Sequence, residues 1–470
     1  MNNPTMKQIK YLAATLLLCS SSLAGMAQAA KSAYFLDGTL YNYQLNPAMD
    51  SERGFFSLGI GNLSLKTNSN VGVSDFIYPY GEDKLTTFMS GSVDAEDFLR
   101  NIPKSVRLST GLDMNVFALG TRMLGGYTTL GFSLHSSVST NIPKGFFEFA
   151  KKGLQETTYN FSDINLRTMN YAALTLGHSR EIFDGFRVGI NVKRLIGIAY
   201  ANAHVDKLNL TLGENYWKIE SHAYAEAAFF AEVETATDNQ GKVDFEETKL
   251  STEINANSVT KSASGLGFDL GVVYDMKEFV EGLTVSASIV DLGRIKWNNM
   301  TRVSTRNNVI EFNGFEDIDI NDFSGSVTDE LEALGDEAMD MTDFYHNGAE
   351  SMSTSLNANL YLGAEYNMPF YNPLSVAILY NKRFGKLTGW NECRGYINIA
   401  PTKFFEASAN VGISTFGTSL GWLVNFHPAG LNFFIGSDHM ITKVTPQFIP
   451  VNNLNSHITL GVNLALGKRK

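Results

Sequence analysis

Gly417-Thr418-Ser419-Leu420-Gly421 spells the G-x-S-x-G pattern in which a strand-to-helix turn lifts a serine out as a nucleophile. That chemistry needs the turn, and here Leu420, Trp422, Val424 and Phe426 carry one strand's alternation straight past the serine. Ser419 is therefore read as a strand residue. Asp317-x-Asp319-x-Asn321 opens like a calcium loop, yet Asp322 stands where that loop needs glycine and Thr328 where it needs a bidentate glutamate. The 8 histidines contain no pair at ligand spacing, and Gly59-Ile60-Gly61 lies inside a strand pattern rather than a phosphate loop. These residues predict no enzyme, no metal and no cofactor.

What remains are side chains that strand alternation gathers on one face. Arg107, Asp113, Arg187, Lys193, Asp269 and Glu365, with Arg167 and Glu406, fall on the inward phase, where opposite charges can pair as a structural ion network in a lumen. Phe117, Val273, Val290, Tyr361, Leu379, Tyr396 and Phe434, with Leu423, fall on the same phase. A water-filled pore has no use for them. They either pack against a plug or line a site for an apolar ligand, and at the level of sequence both readings stand.

The elements that must position these residues are two-faced strands. Ala407, Ala409, Val411 and Ile413 are apolar at every second place, and the pattern returns at Leu420 to Phe426 and again at Leu431, Phe433 and Ile435, separated by tight turns. The same reading gives strands at 53–66, 106–116, 127–138, 158–178, 185–206, 264–275, 283–297, 354–367, 374–384, 390–400 and 455–467. The total is about fourteen, within 12 to 16. The segments have roughly the length that crosses a bilayer when tilted. Connections alternate between short (120–126, 179–184, 276–282, 368–373, 401–402, 427–430) and mostly long (67–105, 139–157, 207–263, 298–353, 442–454), the asymmetry of periplasmic turns and outer loops. Two outer connections, near 385–389 and 415–417, are short. A helix is expected at Asp94–Arg100 with Ser92 as its cap.

Residues 1–29 read as an export signal: Lys7 and Lys10, an apolar run from Tyr11 to Leu18, then small residues ending Ala27-Gln28-Ala29. Leu16-Leu17-Leu18-Cys19 resembles a lipoprotein site, but the residue before the cysteine is not small. With Cys19 removed, Cys393 stands alone and no intramolecular disulfide is available. No later run approaches the ~20 apolar residues of a spanning helix, so a membrane fold must be a closed barrel, the all-β arrangement that leaves no backbone group unpaired in lipid. The 41 glycines, 32 phenylalanines and 19 tyrosines, at a mean hydropathy of -0.08, suit such strands. A net charge of -11 argues against nucleic acid as a partner.

Three regions follow: the signal 1–29, an N-terminal segment 30–52 and a barrel 53–470. The middle segment is too irregular for a strand and too rich in Tyr34, Phe35, Tyr41 and Tyr43 to hang free, so it is expected inside the barrel mouth. Within the barrel, 298–353 is an acidic insertion whose 13 acidic residues outnumber Arg302 and Arg306 by 11. It reads as a solvated outer loop or as a place where divalent cations bridge to anionic lipid. Ser326 to Met341 within it is expected to be helical.

Tyr34-Phe35-Leu36-Asp37-Gly38 through Gln44-Leu45-Asn46-Pro47-Ala48, Arg53-Gly54-Phe55-Phe56-Ser57 and Asn68 to Phe76 resemble an uncharacterised family of Bacteroidota outer-membrane barrels. Asn46-Pro47-Ala48, Gly267-Phe268-Asp269-Leu270-Gly271 with Asp291-Leu292-Gly293, and Ser437-Asp438 are similar to the long-chain fatty-acid transporter superfamily. The resemblance implies a fourteen-stranded transmembrane barrel in a Gram-negative cell outer membrane, with an N-terminal segment in the lumen. Passage or binding of a hydrophobic small molecule is then expected, with outer-membrane lipid around the wall. The alternative is a structural, assembly or secretion-associated barrel that presents its outer loops to a protein partner.

Overall fold

The computed structural model describes residues 30–440 and 454–467, apart from 52, 82–83, 215, 230–232, 251–262, 307, 313–340, 342 and 386. Eighteen hydrogen-bonded segments make one antiparallel sheet, of which four are extensions beyond the wall, leaving fourteen strands that close on themselves. We number these β1 Gly54–Ser69, β2 Ser105–Met123, β3 Gly126–Pro143, β4 Ile164–Phe183, β5 Phe186–Leu212, β6 Ala263–Asp275, β7 Leu283–Ser304, β8 Asn359–Asn367, β9 Leu374–Arg383, β10 Trp390–Thr402, β11 Phe405–Ser414, β12 Gly417–Phe426, β13 Asn432–Ser437 and β14 Ser456–Leu466. Neighbours in sequence are neighbours in space, and the ladder between β1 and β14, from Gly54 against Leu466 to Thr67 against Ser456, completes the ring. Closure removes every edge.

The wall is apolar outside and polar inside. In β10 the side chains alternate without a break: Trp390, Glu392, Arg394, Tyr396 and Asn398 are buried, while Cys393, Ile397 and Ile399 between them are exposed. Leu174, Leu176, Ile190, Leu270, Ile378, Ile413 and Leu464 are likewise exposed around the ring, and Asn410, Asn425, Asn432 and Thr459 are buried. This inverts the order of a protein folded in water, and it leaves an apolar belt far larger than a soluble monomer exposes.

Several strands run further than their sequence patterns indicate. β5 spans 27 residues and β7 spans 22. Where β6 stops at Ala263, the segment Trp217–Phe229 takes its place between the upper parts of β5 and β7, so the wall continues past the belt. Tyr345–Ser355, read from sequence as acidic loop up to residue 353, pairs with β7 instead, as an extension of β8. The helix expected at Ser326–Met341 and the calcium-like Asp317–Asn321 lie outside the described residues. Between β1 and β2 the chain folds into a hairpin, Ile77–Tyr80 with Lys84–Thr87, and a helix α1 at Ala95–Asn101. Its cap is Asp94, which accepts from the Asp97 N–H at 2.9 Å, rather than Ser92, because the helix begins one residue later than its pattern indicates. A second helix, α2 at Lys144–Lys152, packs on α1 through Phe147.

Candidate functional site

The inward side chains of the ring meet residues 30–51. Two 3-10 turns, Lys31–Ala33 and Asn42–Gln44, fold this segment, and Tyr34, Leu36, Leu45 and Asn46 are buried almost completely. Burial of backbone without regular structure requires partners for its polar groups, and the wall supplies them. Asp438, just past β13, accepts the N–H groups of Lys31 at 3.0 Å and Ser32 at 2.8 Å. The Lys31 carbonyl accepts from the Tyr396 hydroxyl at 3.1 Å, and the Leu45 carbonyl accepts from Ser288 Oγ at 2.6 Å.

Charges sit at both ends of the segment and apolar contacts lie between them. At the long-loop end the Lys31 ammonium pairs with Glu392 and lies 4.3 Å from the Trp390 ring centroid, while Arg394 donates to Glu392 at 2.6 Å and to Asn410 at 2.5 Å. At the short-turn end Asp50 pairs with Arg187 and with Arg122 at 2.9 Å. In the middle Tyr34, Phe35 and Leu45 pack with Val290, Tyr361, Leu379 and Tyr396, including an edge-to-face contact of Phe35 on Tyr396 at 5.2 Å. Leu36, Leu40, Tyr41 and Tyr43 pack with Phe55, Ala118, Leu423 and Phe434.

The predicted ligand-facing residues thus divide. Val290, Tyr361, Leu379 and Tyr396 form one cluster, and Phe434 joins the other. Val273 faces inward between Arg187 and Ser286 but stays half-buried and outside both clusters. Phe117 is a correction. A bulge between Asn115 and Phe117 turns Ala118 and Gly120 inward, and Phe117 falls on the outer phase beside Leu58 and Phe132.

The expected ion network resolves into small local groups, and only Lys193 and Asp269 among its predicted members pair with each other. Lys193 bridges Asp269 at 2.8 Å and Asp291 at 2.7 Å, Asp113 pairs with His135 at 2.5 Å, and Arg187 holds Asp50. Glu365 accepts from Ser375 at 2.6 Å, and Arg107 lies over the Phe416 ring with no acidic partner among the described residues. Sequence reasoning missed Lys31, Glu392, Arg394 and Asp438. The signal for two of them was present, since Glu392 and Arg394 share the phase of Tyr396.

Beside the segment, between Tyr43, Asn62, Asp113, His135, Lys193 and Asp291, lies a polar cavity of about 60 Å³.

A closed fourteen-stranded antiparallel barrel with an apolar outer belt defines the class. The family of unknown function DUF5723 matches over residues 47–438, and the chain belongs to that family. No curated protein matches the sequence. Among solved structures, the toluene transporter TodX of Pseudomonas putida is 8% identical, with 90% of this chain and 93% of that chain covered, at a TM-score of 0.40. The toluene transporter TbuX of Ralstonia pickettii is 9% identical over 90% of this chain and 92% of that chain, at 0.39. A Pseudomonas aeruginosa FadL homologue is 10% identical over 94% of both, at 0.33. At such scores the likeness says nothing about a ligand.

Proposed function

We propose that this chain is a transmembrane barrel of the outer membrane, exported by a signal removed near Ala29, with residues 30–52 as a plug in its lumen. Displacing that plug opens a passage or binding site for a hydrophobic small molecule. The observation that supports this is the pairing of Tyr34, Phe35 and Leu45 with the inward patch of Val290, Tyr361, Leu379 and Tyr396. Moving the segment exposes apolar wall, at a cost of about 1.5–3 kcal/mol for each large side chain uncovered. A hydrophobic molecule entering the patch recovers that burial and a polar one does not, so the displaced state is favoured selectively. The plug joins the wall through Gly54, and polar contacts hold it at Lys31, at Leu45 and at Asp50.

The test compares wild type with a deletion of residues 31–45 in proteoliposomes, using entry of a fluorescent hydrophobic dye and of a small polar solute, with mass spectrometry of copurified apolar molecules. Faster entry of the dye into vesicles of the truncated protein and an apolar molecule retained by wild type are expected. A truncated barrel that stays folded and closed to both solutes overturns the reading.

One observation favours a second reading, a barrel that presents its outer face to a protein partner. The hairpin between β1 and β2 exposes Ile77, Tyr80 and Leu85, with Met89 just beyond it. Crosslinking from position 85 in intact cells distinguishes them: a single protein adduct supports the second reading.

A further inference from the structure

On the outer surface of the wall, β5, β6 and β7 bring three cations together. Leu266 of β6 pairs with Arg194 on one side and Arg294 on the other, and Ser264, two residues along, pairs with Lys296. All three basic residues are exposed and lie on the outward phase, with Leu195, Ile295 and Trp297 buried on the opposite one. Alternate strands at ~4.8 Å spacing put Arg194 and Arg294 about 10 Å apart, and two residues along a strand put Lys296 about 7 Å from Arg294.

None of the three has an acidic partner among the described residues. The nearest carboxylates on these strands, Asp269 and Asp291, are engaged inward by Lys193. The patch is a basic island on a chain of net charge -11. It also lies at a boundary. Leu266, Phe268, Val192 and Leu292 extend the apolar belt from it toward the short turns, whereas in the other direction β6 ends and the wall continues as the extension described above. Unpaired cations are costly at the bilayer midplane and tolerated near its interfaces.

We propose that Arg194, Arg294 and Lys296 form a binding site for the phosphates of a phosphorylated glycolipid in the outer leaflet, whose acyl chains lie along Val192, Leu266 and Phe268. Arginine suits the role because its planar fork donates two hydrogen bonds to one phosphate, and Lys296 adds a mobile third donor. Two arginines whose backbones stand about 10 Å apart can each take one phosphate of a two-phosphate headgroup, where a glycerophospholipid offers only one. The assignment rests on the membrane reading above and on the long-loop end facing outward.

The test places the full-length mature barrel in lipid nanodiscs holding bisphosphorylated lipid A, its dephosphorylated form or phosphatidylglycerol, and measures retained lipid by native mass spectrometry. Wild type is expected to hold the phosphorylated glycolipid at activation energies that strip the other two. Replacing Arg194, Arg294 and Lys296 together by glutamine should reduce that preference by up to roughly a hundredfold, from about fivefold for each cation near an anionic surface. Lys277→Gln, at the opposite rim, should leave it unchanged. Rising salt should weaken retention by the wild type in the same direction, an arm that needs no variant. Equal retention of all three lipids, or of phosphatidylglycerol and lipid A, overturns the proposal, as does a triple variant that folds and retains lipid A like wild type. Failure of the wild type to enter nanodiscs instead overturns the membrane reading itself.

Discussion

Arg394 and Glu392 lie two residues apart on the inward face of β10, and the guanidinium donates to the carboxylate at 2.6 Å while Lys31 approaches the same carboxylate from the N-terminal segment. Both wall side chains are essentially inaccessible to water. Glu392 is therefore the acidic centre that lets one buried cation of the wall and one of the plug coexist.

Glu392→Gln leaves both cations short of their counter-charge in a buried place. Removing one partner of such a pair costs about 3–5 kcal/mol. The variant should unfold at lower urea in micelles and lose its gel mobility shift at lower temperature. Lys31→Met in the same chain should restore part of the loss, a coupling that independent sites would not show.

The ring was legible in the sequence because a strand with apolar side chains outside and polar ones inside alternates, and each of the fourteen strands carries enough of that signal. The bulge before Phe117 was not, since one extra residue reverses the phase without any change in composition. The anchoring of residues 30–51 was half legible: Tyr34, Phe35 and Leu45 signal burial, but which wall residues receive them depends on strands far away in sequence. Asp438 illustrates this. It lies more than four hundred residues from the N–H groups it accepts, and the Ser437-Asp438 motif that marks it says nothing of that partner.

The closed state should be lost in acid. Burial pushes the Asp438 carboxyl up, but the charges of His457, Lys31 and Arg394 outweigh it and hold the group well below the usual 3.8. A carboxylate lowered on folding stabilises the folded form above its unfolded value, and the contribution fades as acid protonates it through the lower folded value. Solute flux through reconstituted barrels should stay low at neutral pH and rise only below 3.8. Asp438→Asn should raise flux at neutral pH and flatten this response; an unchanged acid profile in that variant would place the titrating group elsewhere.

The outer cap should loosen without the barrel. Phe88 stacks on Phe98 of α1 at 4.6 Å, and Phe76 and Phe147 pack beside them. Phe98→Ala removes about 3–5 kcal/mol of packing from this small cluster, and Asp94→Ala about 1 kcal/mol of helix capping. Both variants should gain protease cleavage between residues 70 and 104 on whole cells, with the larger effect from Phe98, while the barrel's unfolding midpoint stays near wild type. An equal fall in that midpoint would mean that cap and wall unfold together.

Two glycines face each other across the β5 and β6 ladder. Gly189 pairs with Gly271, and both are covered by the plug. A Cβ on Gly189 would lie 2.1 Å from the Pro47 carbonyl oxygen, and one on Gly271 would lie 2.0 Å from Asn46 Oδ1. Neither distance is tolerable, and Asn46 is further fixed by its donation to the Val272 carbonyl at 3.2 Å. A methyl group on either glycine must therefore shift Asn46 and Pro47 away from the wall rather than settle beside them. Neither glycine has the positive φ that alanine would resist, so the strand itself should tolerate the change. Gly189→Ala should raise the passage of small solutes through reconstituted barrels while the ring keeps its heat-dependent mobility shift. In a chain lacking residues 31–48 the same substitution should add nothing, because Asn46, Pro47 and Ala48 are gone. An equal increase in flux in both backgrounds would show that the glycine acts on the wall and not through the plug.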